Sequence, residues 1–185
     1  MNTVSRWIIC AGLALGWCLA ASGCSQGASA GGTPLTEQRR APEFTGIEAW
    51  INSEPLTMAS LRGKVVLVEF WTYECINCIR TLPHVTRWYN TYKDQGLIVV
   101  GVHSPESESE QDSSGLRAAI EKFAIEYPVA QDNHFATWKA YDNQFWPATY
   151  LIDRDGSIVL THVGEGDYDE TEATIRELLT RTAAK

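Results

Sequence analysis

The sequence predicts an α/β domain, with a mixed β-sheet flanked by helices. Three observations carry this. The apolar run Val65 to Trp71 has the continuity of a strand buried on both faces. It feeds, through Cys75-Ile76-Asn77-Cys78, a segment with apolar residues at Ile79, Leu82, Val85, Tyr89 and Tyr92, the spacing of a helix with one buried stripe. A second apolar strand, Leu97 to His103, is followed by Leu116, Ala119, Ile120 and Phe123 at i, i+3, i+4 and i+7. Strand, connecting helix and further strand then imply a right-handed parallel crossover.

The 185 residues allow one domain plus extras, with no internal repeat. A net charge of −8 argues against a nucleic-acid partner, which would want a basic face. Residues 1–23 read as a signal peptide: Arg6 supplies the positive start, and Trp7 to Ala21 is an apolar run too short to span a membrane. Ala21-Ser22-Gly23-Cys24 resembles a bacterial lipoprotein cleavage site, with Cys24 as the lipidated residue. The competing reading is ordinary cleavage after Ala30, at Ala28-Ser29-Ala30. Cysteine arithmetic favours lipidation. Cys10 and Cys18 leave with the signal peptide, so a lipidated Cys24 leaves Cys75 and Cys78 as the free pair. Residues 24–42, rich in Ser, Gly, Ala, Thr and Pro, read as a flexible tether. Residues 43–185 form the folded domain.

Within that domain, Phe44, Ile47, Trp50 and Ile51 suggest a short hairpin, with turn signals at Asn52-Ser53-Glu54-Pro55. Gly96 ends the helix after the cysteines. Ser104 to Ser114 is acidic and free of apolar residues, and reads as a solvated surface loop. Tyr127 to Gln131 is a short strand, and Asn133 is placed to cap a helix running to Tyr141. Ala148 to Asp153 and Ser157 to Val163 form an antiparallel pair around Asp155-Gly156. Asp169, with Glu172 three residues on, has the form of a capping box for a last helix whose buried stripe is Ile175, Leu178 and Leu179.

The chemistry centres on Cys75 and Cys78. A cysteine where a strand gives way to a helix meets free backbone N–H groups and the positive end of the helix dipole, both of which favour the nucleophilic thiolate. Cys78, one turn on, is placed to close a disulfide with it. Glu74 beside the first sulfur either opposes the dipole or simply points to solvent. A zinc site would need a second ligand pair, and His84, His103, His134 and His162 are scattered. A static disulfide would ordinarily close a longer loop. A copper carrier using Cys75, Cys78 and His103 is the alternative from another class, since soft thiolates suit Cu(I). Thr72-Tyr73-Glu74-Cys75 also matches a short peroxidase string, Thr-x-x-Cys. Glu69, a lone carboxylate in an apolar strand, is expensive to bury ionised, so its pKa is expected to rise; the alternative is an edge position open to solvent. No organic cofactor motif is present.

The stretch resembles the active site of the thioredoxin superfamily, nearest to the membrane-tethered TlpA-like thioredoxins and the thioredoxin domain of DipZ-type proteins. The matching residues are Phe70-Trp71 before the pair, Pro83 five residues after Cys78, and Glu69 six residues before Cys75. Ser60-Leu61-Arg62-Gly63-Lys64 resembles the lead-in to the first core strand of redoxins, and the likeness extends over residues 42–185. Ile76-Asn77 stands where Gly-Pro is usual, and Glu74 where Trp is usual. The resemblance implies a thioredoxin fold with an N-terminal β extension. It implies a cis Pro147 facing the cysteines, with Trp146 before it contacting the substrate, and Glu69 as a buried acid beneath Cys78. It further implies an extracytoplasmic thiol–disulfide oxidoreductase, acting as a reductant of protein disulfides such as apocytochrome c cysteines and supplied with electrons by a membrane thiol transporter.

Overall fold

The computed structural model describes residues 39–181. The expected signal peptide, Cys24 and most of the tether lie outside the described residues. In chain order the elements are β1 (Ala49–Ile51), β2 (Val65–Trp71), α1 (Ile76–Tyr92), β3 (Leu97–His103), α2 (Ser113–Lys122), β4 (Val129–Gln131), α3 (Ala136–Ala140), β5 (Ala148–Ile152), β6 (Ile158–Val163) and α4 (Tyr168–Thr180). Six strands form one sheet in the order β1-β4-β3-β2-β5-β6. β2, β3 and β4 run parallel, while β1, β5 and β6 are antiparallel to their neighbours. This is the mixed sheet flanked by helices that the sequence predicts.

All seven residues of β2 are buried, as a run that is apolar but for Glu69 requires of a central strand. Alternation along the strand divides the core in two. Val65, Leu67 and Trp71 join the cluster under α1, α2 and α4, with Leu82, Val85, Trp88, Leu116, Ile120 and Ile175. Val66, Val68 and Phe70 join the opposite cluster, with Trp138, Tyr141, Tyr150 and the N-terminal Met58 and Leu61. Glu69 lies in the alternation of the first set, so the strand aims it at the α1 side.

Several local expectations give way to longer-range partners. The segment around Trp50 makes no hairpin: β1 pairs with β4, Ala49 opposite Gln131, because the edge of the parallel sheet offers a ladder that a local turn cannot match. Residues 39–41, assigned to the tether by composition, are held by backbone bonds. The Ile158 N–H donates to the Arg39 carbonyl at 2.8 Å, and the Ala41 N–H to the Gly156 carbonyl at 2.9 Å. Asn133 does not cap α3. The carboxylate of Asp132 accepts the N–H groups of Ala136, Thr137 and Trp138 instead. Asp169 is not the cap of α4 either: the helix starts after Asp167, and Glu172 turns inward to accept from Tyr92 Oη at 2.8 Å and Trp88 Nε1 at 3.2 Å. Gly96 does take the left-handed conformation after α1 and its 3₁₀ extension, at φ 102°.

Candidate active site

β2 ends at Trp71, the loop Thr72–Glu74 turns the chain, and Cys75 is the N-cap of α1. Its backbone is extended (φ −73°, ψ 115°), and its carbonyl accepts the first helical bond, from the Ile79 N–H at 3.0 Å. No side chain caps the helix and its first turn carries no acid, so the amides there face whatever sits at Cys75. Both cysteines are free thiols. Cys75 is half-buried, whereas Cys78 is 0% exposed and packed in the core cluster under α1. Burial pushes the Cys78 thiol far above its usual range. A hydrogen bond to the Thr72 backbone opposes the shift, and Cys75 and the charge of Glu69 add to it. The pair is therefore asymmetric: a half-buried sulfur at a helix start, and a fully buried one whose burial favours the protonated thiol.

Glu69 is 1% exposed in the centre of the sheet, which rules out the edge position considered above. It stands opposite Gly101 on β3 and Thr149 on β5, and its carboxylate accepts the Thr149 hydroxyl. Burial pushes its pKa from 4.5 to about 7, with the Thr149 bond pulling the other way. A Cβ at Gly101 would come within 2.9 Å of Trp71 Nε1 and 3.1 Å of the Tyr127 ring, so glycine there lets both rings close over this region.

The Trp146–Pro147 bond is cis. The Trp146 ring lies 4.3 Å from that of Trp138 and donates Nε1–H to the Ser104 carbonyl at 2.9 Å. It packs against both core clusters, one of which also includes Cys75. Large apolar side chains remain uncovered next to each motif: Ile76 is 57% exposed and Phe145 is 59% exposed. Glu74 is exposed and directs its side chain to solvent.

The acidic segment corrects the sequence reading. Glu110, placed in a solvated loop, is 0% exposed. Its carboxylate accepts the Thr72 hydroxyl and the Glu74 N–H, the latter at 3.0 Å. The signal that could have found it is Ser107-x-x-Glu110, a capping box around a 3₁₀ turn. Thr72 thus commits its hydroxyl to Glu110. His103 is buried, stacked on Tyr73 at 5.3 Å and edge-on to Trp71 at 5.5 Å; burial pushes its pKa down to about 4, with Glu110 opposing. Among the described residues, no group of three His, Cys, Asp or Glu side chains could hold a metal ion.

The sequence matches the AhpC/TSA family over residues 38–161, about two thirds of the chain. The chain belongs to the AhpC/TSA family. Protein DipZ of Mycobacterium tuberculosis is 47% identical over 161 residues, which are 85% of this chain but 23% of DipZ, so the chain spans about a quarter of that relative's length. Thiol-disulfide oxidoreductase YkuV of Bacillus subtilis is 30% identical over 141 residues, 76% of this chain and 95% of YkuV. A crystal structure of a thioredoxin-like superfamily protein superposes with a TM-score of 0.72 at 28% identity, covering 78% of this chain and 99% of the other. The fold of this AhpC/TSA member is thus thioredoxin-like, and it has relatives named as thiol-disulfide oxidoreductases.

Proposed function

We propose that the protein is a thiol–disulfide oxidoreductase that reduces protein disulfides through Cys75 and Cys78. The observation that carries this reading is the asymmetry of the pair: a half-buried thiol at the start of α1 and a fully buried thiol one turn on, with a buried acid poised near neutrality on the strand that leads to them. The thiolate of Cys75 attacks one sulfur of a partner disulfide. A Cys75–partner bond forms, the partner's S–S bond breaks, and the leaving thiolate takes a proton from solvent. Cys78 then gives its proton to Glu69 and attacks Cys75. The Cys75–Cys78 disulfide closes, and the second partner sulfur leaves and is protonated. Two electrons have passed from the dithiol to the partner. Trp146, Pro147 and the exposed Ile76 and Phe145 suit an extended, partly apolar cysteine-containing segment as partner.

Reduction of insulin disulfides by the purified protein tests this. The wild type is expected to precipitate insulin in the presence of a dithiol donor, and Cys75→Ser to remain at background. Retained activity in Cys75→Ser would contradict the assignment. Copper carriage lacks a third converging ligand among the described residues, and the Thr72 hydroxyl of the peroxidase string is held by Glu110.

The setting proposed is extracytoplasmic, with the domain tethered to a membrane through a lipidated Cys24 and re-reduced by a membrane thiol transporter. The sequence Arg6 to Cys24 supports this. No helix among the described residues is long and apolar enough to cross a membrane. Metabolic palmitate labelling is expected to mark the wild type and not Cys24→Ala; an unlabelled wild type would indicate the secreted form instead.

A further inference from the structure

The geometry points to Glu110 as the residue that positions the nucleophile. It rests on the exchange reading and adds a residue on the segment that follows β3. Glu106, Ser107, Glu108, Ser109 and Gln111 are exposed, whereas Glu110 is fully buried between them and the loop ahead of Cys75. A buried carboxylate is costly unless donors surround it. Here one oxygen accepts the Thr72 hydroxyl and the Glu74 N–H; the other accepts the Glu106 N–H at 2.7 Å and the Ser107 N–H at 3.3 Å. One side chain therefore fastens two loops together.

All three residues between β2 and Cys75 are tied to this segment, since Tyr73 Oη also donates to the Ser109 carbonyl at 3.2 Å. Cys75 has no side-chain cap bond of its own, so the incoming loop sets where its sulfur stands. A shift of this loop therefore moves the Cys75 sulfur. In-line attack on a disulfide is sensitive to such shifts: misplacement by about 1 Å costs on the order of 100-fold in rate.

Glu110→Gln keeps the shape and removes one acceptor. Turning its NH₂ toward Glu106 and Ser107 would oppose two N–H donors. Turning it toward Thr72 and Glu74 is better, because a hydroxyl can reverse and accept. The Glu74 N–H, next to the nucleophile, then loses its partner.

The test uses the full chain, reduced, in a Cys78→Ala background. Oxidised glutathione is added, and the adduct is read by mass spectrometry on the tryptic peptide Val65–Arg80, in which Cys75 is then the only cysteine. Near-UV circular dichroism reports folding of each variant. Glu110→Gln is expected to react about 10- to 100-fold more slowly than the parent. Thr72→Val should slow several-fold, and Ser107→Ala, which loses the hydroxyl that caps the turn and meets Ser109 Oγ at 2.7 Å but keeps every donor to the Glu110 carboxylate, should match the parent. A Glu110→Gln rate within two-fold of the parent overturns the proposal, as does an equal loss in Ser107→Ala, which would mean that Glu110 only caps its turn. If Glu110→Gln does not fold, Thr72→Val decides: a several-fold loss supports the role and an unchanged rate overturns it. A folded parent whose Cys75 reacts no faster than in urea contradicts the exchange reading itself, and the role of Glu110 falls with it.

Discussion

In Cys78→Ser, turnover is expected to stop while the partner remains covalently held on Cys75. The reason is the division of labour between the sulfurs. Cys75 stands at the helix start with free amides ahead of it and part of its surface open, so the first attack does not need Cys78. Only Cys78 lies behind it, inside the core cluster, to break the mixed disulfide. Serine keeps the size of the site but cannot act as the resolving thiolate, so the intermediate accumulates. Non-reducing electrophoresis should show an adduct that a dithiol releases. Cys75→Ser, lacking the first nucleophile, should show none. An adduct on Cys78 in place of Cys75 would reverse the assigned roles.

Glu69→Gln is expected to slow resolution of the mixed disulfide and leave the attack by Cys75 nearly intact. Positioned proton transfer contributes roughly 10²- to 10⁴-fold in enzymes, and Cys78 needs a base because burial holds its proton. The loss should appear at neutral pH and shrink at high pH, where hydroxide can deprotonate the thiol. Stability should move the other way. With a pKa of 4.5 unfolded and about 7 folded, Glu69 binds a proton more tightly in the folded chain. Its contribution is therefore fully present below pH 4.5 and is lost as pH rises through about 7, a total of about 3 kcal/mol across that window. Glu69→Gln removes this slope. Urea unfolding at pH 5 and pH 8 should show the wild type weakening and the variant holding. Equal slopes in the two proteins, together with unchanged resolution, would deny Glu69 a role as base.

What the sequence displayed, and what it concealed, follows from how local each cause is. The run Val65 to Trp71 announces a buried central strand because seven residues with no polar face need cover on both sides, and Glu69 stands out against its apolar neighbours. The cysteine spacing places both sulfurs on the first turn of a helix whatever packs around it. Glu110 was hidden because an acid among acids has no contrast: its burial depends on donors from Thr72 and Glu74, which only the folded sheet brings near. The choice between Asp132 and Asn133 as the cap of α3 was equally illegible, since both residue types serve. Ala136, Thr137 and Trp138 point their N–H groups to Asp132 because β4 ends there. The partner of β1 lay on β4, far along the chain, where hairpin signals say nothing.

The most direct test of the central claim is a redox titration of the full chain in glutathione buffers. The Cys75–Cys78 disulfide is read as the loss of two hydrogens from the tryptic peptide Val65–Arg80. A single reversible two-electron transition is predicted, with its midpoint nearer the roughly −270 mV of thioredoxin than the roughly −120 mV of a strong oxidant. A pair that stays oxidised at every poise, or a Cys75 that ends as a glutathione adduct with no internal disulfide, would contradict the account.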